Sequence, residues 1–180
     1  MRLFHISEEN NIHTFTPRTS IRQWGNKKYV WAISEMMVHN YLFPRNCPRI
    51  CVQSPDVNKV TSLLEIEVPA SCKALIFIPT SWEEKVRSTP LFRYEFANDQ
   101  FKCIDSIAGY YVSESIQRPI AKEPIKDSAS MLQTMGVKVI SEEIDTLEDI
   151  KDIVANQLKH FSVIRWNHIS LKNTSKHETT

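Results

Sequence analysis

Apolar residues in the first two-thirds of the chain alternate with polar ones or gather in short runs, and only the last third repeats them at helical spacing. In the opening stretch LFHIS, Leu3, His5 and Ser7 fall on one side of an extended strand, and Phe4 and Ile6 on the other. The capping residues of SEENNI predict a short helical turn, and FTPRTS predicts a loop. KKYVWAIS, rich in aromatic and β-branched residues, predicts a strand. It runs into SEMMVHNYLF, where Met36, Met37, Asn40 and Tyr41 follow helical spacing behind Ser34 as N-cap. Pro44 and Pro48 end that helix and stiffen the loop FPRNCPR. ICVQS, SLLEIEVP and KALIFIP predict three strands, and PTSWEEKVRS a turn with a short helix. LFRYEF and FKCID predict a hairpin around ANDQ, and AGYYVSES a further strand.

Beyond residue 125 the pattern changes. DSASMLQTMG predicts a helix closed by Gly136, and VKVISE a strand. DTLEDIKDIVANQLKHFSVI predicts a helix with one apolar stripe of Leu147, Ile150, Ile153 or Val154, and Leu158. HFSVIRWNH overlaps its end and predicts a buried strand, in which Arg165 requires a partner. From residue 170 the chain is polar without apolar periodicity, which predicts a frayed tail. Strands first and helices last predict an α+β fold: one domain over residues 1–169, a split or two-layer antiparallel sheet, and helices concentrated in the C-terminal third.

Composition narrows the function. A length of 180 residues suits one domain, and 42% hydrophobic with 24% charged residues is ordinary for a globular chain. A net charge of +1 gives no general argument for nucleic acid or a membrane surface. No apolar run approaches the roughly 20 residues of a membrane span, and the N-terminus lacks the apolar core of a secretory signal, so a cytoplasmic location is expected. The four cysteines, Cys47, Cys51, Cys72 and Cys103, form no disulfide framework. Cys47 and Cys51 with His39 lack the spacing of a metal site, so buried thiols and no metal are expected. With three glycines and neither G-x-G-x-x-G nor a Walker loop, any bound phosphate must be held by side chains and ordinary loop amides.

LFHISEENNIHTFTPR, YVWAISEMMVHNYLFPRNCPRI, AGYYVSES and HFSVIRWNH together resemble an uncharacterised bacterial protein family with a His-x-Ser strand, a Val-Trp-Ala strand and a Pro-Arg-x-Cys-Pro-Arg loop. More distantly, the order of motifs is similar to the ADP-ribosyltransferase fold. That resemblance implies NAD, or an ADP-ribosyl group, bound by His5 and Ser7 of the first motif and by Tyr29, Trp31 and Tyr41 of the second. It also implies a third-motif carboxylate, for which Glu114 is the candidate catalytic residue. The sequence departs from the pattern by lacking a glycine between His5 and Ser7 and an alanine before Tyr41. Cleaving the nicotinamide–ribose bond develops positive charge on the sugar, and a fixed carboxylate stabilises it. The aromatic rings offer stacking surfaces. Arg45 and Arg49, on the proline-stiffened loop, are the candidate phosphate ligands, with Arg18 a weaker third. Three functions stay open: an NAD-cleaving transferase, a non-catalytic nucleotide-binding module, and an RNA 2′-phosphotransferase-like enzyme.

Overall fold

The computed structural model describes residues 1–19 and 27–169; the expected polar tail from residue 170 lies outside them. In chain order the strands are β1 (Leu3–Ser7), β2 (Arg18–Thr19), β3 (Lys28–Ser34), β4 (Arg49–Gln53), β5 (Ala74–Pro79), β6 (Leu91–Phe96), β7 (Lys102–Asp105), β8 (Tyr110–Ser113), β9 (Ala121–Ile125), β10 (Val137–Glu142) and β11 (Phe161–Ile164). The α-helices are α1 (Val57–Leu63), α2 (Glu83–Ser88), α3 (Ser128–Thr134) and α4 (Ile144–Gln157), and a 3₁₀ helix covers Glu35–Tyr41. The chain gathers into two compact units, one of Met1–Arg45 with Thr89–Ser128, the other of Asn46–Ser88 with Ala129–Thr180. The class is α+β. No helix among the described residues is long and apolar enough to cross a membrane.

The first unit is built on an antiparallel sheet in the order β7-β8-β3-β1-β6-β9, with β2 added on β3. Leu3, Val30, Ala32 and Phe96 bury one face of it, and Phe15, Phe101 and Tyr111 pack against them. Leu3 lies opposite Ser34 in β3 and opposite Phe96 in β6, so the alternation read from LFHIS is realised. The expected hairpin is not. β6 pairs with β1 and β9, whereas among the described residues β7 pairs only with β8. β6 buries Leu91, Tyr94 and Phe96, so it takes a central place, while the exposed start of β7 suits an edge.

The second unit carries a four-stranded sheet in the order β10-β5-β4-β11. Its β5–β10 pair is parallel, so this sheet is mixed rather than antiparallel. α4 lays Leu147, Ile150 and Val154, with Leu158 just past its end, into a core with Ile50, Val52, Leu75 and Phe77, which resolves the Ile153-or-Val154 alternative in favour of Val154. Each such side chain gains roughly 1.5–3 kcal/mol from burial. Gly136, at φ +76°, closes the turn after α3 as expected; a Cβ there would meet the Ser71 carbonyl oxygen at 2.9 Å.

Four more expectations are corrected. SEENNI forms no helical turn, because Tyr94 holds it open: its hydroxyl donates to the Glu9 carbonyl at 2.6 Å and accepts the Ile12 amide at 3.2 Å. SLLEIEVP is not a strand. Val57 and Val60 draw its start into α1, and Leu64, Ile66 and Val68 pack on the core without a ladder partner. SEMMVHNYLF is a 3₁₀ helix that buries Val38, His39 and Asn40 and leaves Met36 at 76% exposure. α4 stops at Gln157 instead of running through HFSVI; the strand expected in HFSVIRWNH forms there as β11 beside β4, half-buried rather than buried. With α1 and α2 in the middle of the chain, helices are not confined to its last third, although the longest lies there.

Candidate functional site

The β1–β3 ladder is formed by Leu3 opposite Ser34 and Phe4 opposite Ile33. Past it the His5 ring takes over, its Nδ1 lying 3.1 Å from the Trp31 carbonyl oxygen. A carbonyl only accepts, so Nδ1 carries the hydrogen and the lone pair of the neutral ring is on Nε2. Phe15 meets this half-buried ring edge-on at 5.0 Å, and is itself fixed by edge contacts to Tyr94 and Phe96 at 5.4 and 5.0 Å. Backbone bonds with Gln117 in both directions, 2.8 and 2.9 Å, hold Phe15 there.

Burial and nearby charges set the proton affinity of His5. Burial pushes its pKa below the ordinary 6.5; the Trp31 carbonyl opposes this, the Arg45 and Arg18 charges reinforce it, and Glu9 opposes it. Two guanidiniums and one carboxylate therefore share the electrostatic reach of a neutral imidazole. Arg18 comes from β2, opposite Tyr29 in the ladder. Arg45 ends the first unit, with its amide bonded to the Glu8 carboxylate at 2.8 Å and its side chain exposed. Ser7 turns the chain out of β1, its hydroxyl accepting the Glu9 amide at 3.1 Å.

The second-motif aromatics form a row. Trp31 stands edge-on to Tyr29 at 6.1 Å and to Tyr110 at 5.7 Å, and Tyr110 to Tyr41 at 6.1 Å. The Tyr41 hydroxyl donates to that of Tyr110. All four rings are half-buried. Register puts the His5 side of β1 with Ala32 and Val30, so Trp31 and Tyr29 project from the reverse face of the sheet. The imidazole and this row thus meet at the Trp31 backbone, not ring to ring.

The remaining candidates stand apart. The Glu114 side chain is 66% exposed and lies 3.5 Å from Lys27 Nζ. The carboxylate that acts on His5 is Glu9. Arg49 belongs to the second unit and is 3% exposed, its Nη1 donating to the Cys47 carbonyl at 2.7 Å, with a further bond to the Cys51 thiol. Burial pushes both of those thiols up to about 12, so they are protonated and unreactive at neutral pH. Sequence reasoning missed Glu9, Phe15 and Tyr110. Phe15 and Tyr110 are placed by partners far along the chain, Gln117 and Trp31, whereas Glu9 lies close to His5 in sequence; the position of Tyr110 in the aromatic run AGYYVS was an available signal.

No curated protein and no solved structure matches the chain. A family model does match, over residues 4–169, nearly the full length: the chain belongs to the family of unknown function DUF6886.

Proposed function

We propose that the first unit is a binding module for a phosphorylated, hydroxyl-bearing small molecule, a nucleotide such as NAD or an ADP-ribosyl compound. The observation that carries this is the His5 ring fixed by Nδ1 on the Trp31 carbonyl at 3.1 Å, which leaves the Nε2 lone pair to a ligand, with the Arg45 and Arg18 charges acting on the ring. A guanidinium suits phosphate oxygens. The Nε2 lone pair suits a donating sugar hydroxyl rather than a phosphate. Trp31 and Tyr29 project from the reverse face of the sheet and lie outside this site. Binding is preferred to NAD cleavage because Glu114 is exposed and salt-bridged to Lys27. Nucleotide cleavage is the second reading, and it rests on Glu9 as the carboxylate near His5.

Calorimetry with NAD, ADP-ribose and ADP tests the proposal. Each charge-assisted contact removed is worth about 1.5–3 kcal/mol, so Arg45→Ala and Arg18→Ala should each weaken binding about 10- to 100-fold. Glu114→Gln should leave affinity unchanged within about twofold, as expected for an exposed ion pair. Absence of binding to all three compounds would overturn the proposal. Release of nicotinamide from NAD by the wild type would establish the second reading instead.

A further inference from the structure

The second unit holds an oriented histidine that the nucleotide proposal leaves unused. Asp56 lies in the turn between β4 and α1, and His160 in the turn between α4 and β11. One oxygen of Asp56, Oδ2, accepts the amides of Lys159 and His160 at 2.7 Å each and His160 Nδ1 at 3.2 Å. Those two amides hold the carboxyl below the ordinary 3.8, so it is ionised at neutral pH. A carboxylate only accepts. The hydrogen of the neutral ring is therefore on Nδ1, and Nε2 carries the lone pair.

The imidazole is the more open member of the pair, with 38% of its side chain exposed against 17% for Asp56. Cations flank it. Lys159 precedes it in the chain and is exposed, and Lys59 Nζ donates to the Gln157 carbonyl at 2.5 Å, at the end of α4. The two amide bonds already tie the turns together, so the ring bond adds orientation. A general base needs a substrate held out of water, whereas the His160 side chain keeps 38% of its surface exposed. A nucleophile that accepts a group from an incoming donor needs only reach, orientation and charge balance.

We propose that His160 is a phosphoryl acceptor, taking a phosphoryl group on Nε2 from a donor of the phosphoramidate class, with Asp56 as the positioning residue. The Nε2 lone pair attacks phosphorus, the phosphorus–nitrogen bond of the donor breaks, and ammonia leaves with that electron pair. The ring keeps its Nδ1 hydrogen on Asp56, whose negative charge faces the imidazolium that forms.

The test uses the whole protein and phosphoramidate itself as the probe. Labelling is followed by intact mass, located by fragmentation that preserves phosphohistidine, and assigned to a ring nitrogen by phosphorus and nitrogen NMR. The expected result is Nε2-phosphohistidine at His160, formed on the order of tenfold faster than at the other histidines, since an oriented, charge-balanced nucleophile outpaces a free one. In Asp56→Asn the His160 rate should fall to that of the others. Should that variant fail to fold, the wild-type labelling decides alone. Equal labelling of all exposed histidines, label on Nδ1 of His160, or none at His160 would each overturn the assignment.

Discussion

Acidification should destabilise the first unit through His39, a residue outside the proposed binding site. His39 is 8% exposed in the 3₁₀ helix; its ring bonds the Met36 carbonyl, and its Nε2 has no hydrogen-bond partner. Burial pushes its pKa from the ordinary 6.5 down to about 4. In the unfolded chain the imidazole takes its proton near 6.5, whereas the folded chain resists protonation until about 4. Stability is therefore full above the upper value and is lost as pH falls toward the lower one. At about 1.4 kcal/mol per pKa unit, the loss from this one group is about 2 kcal/mol at pH 5 and about 3 kcal/mol at pH 4. Against a typical total of about 5–15 kcal/mol, that is a large fraction. Urea unfolding of the wild type and of His39→Leu, at pH 7 and again at pH 5, measures it. The variant is expected to be less stable at pH 7 yet to lose about 2 kcal/mol less than the wild type between the two pH values. His5, whose pKa is also lowered, supplies a residual loss of the same sign in both proteins. Equal acid losses in wild type and variant would refute the reasoning.

Gly109→Ala should cost on the order of 2–5 kcal/mol, from left-handed backbone strain plus overpacking. Gly109 sits at φ +70°, and a Cβ there would come within 2.5 Å of Ser34 Oγ and 2.7 Å of Met37 Cγ; thermal unfolding reads the loss, and an unchanged Tm would contradict it. Tyr94→Phe removes a fully buried hydroxyl that serves Glu9 and Ile12, and should cost about 1–3 kcal/mol. Hydrogen exchange at the Ile12 amide should speed up in the same variant, and unchanged protection there would show that Tyr94 does not hold the loop.

The periodicity of the chain by itself determined where most strands lie and which side of each faces a core. LFHIS, KYVWAIS, LFRYEF and VKVISE form strands because a period of two is a local property of the backbone, and Val154 completes the α4 stripe because 3.6 residues make one turn. Partners across the chain decided the rest. LKHFSVI has enough apolar spacing to continue α4, but Asp56, about a hundred residues earlier, captures the Lys159 and His160 amides that the helix would have used, and β4 then takes Phe161–Ile164 as a strand. Leu64, Ile66 and Val68 alternate as a strand would, and they are partly buried, but pairing needs a neighbouring edge that no local pattern encodes. The candidate site divides in the same way. His5 was legible as an imidazole on a strand, whereas its proton on Nδ1 and its Phe15 wall follow from the pairing of β1 with β3 and of Phe15 with Gln117. Glu114 looked like a third-motif carboxylate because its strand is aromatic. Its exposure and its Lys27 partner were decided by where β8 ends beside β3, because charge partners are set by space and not by order along the chain.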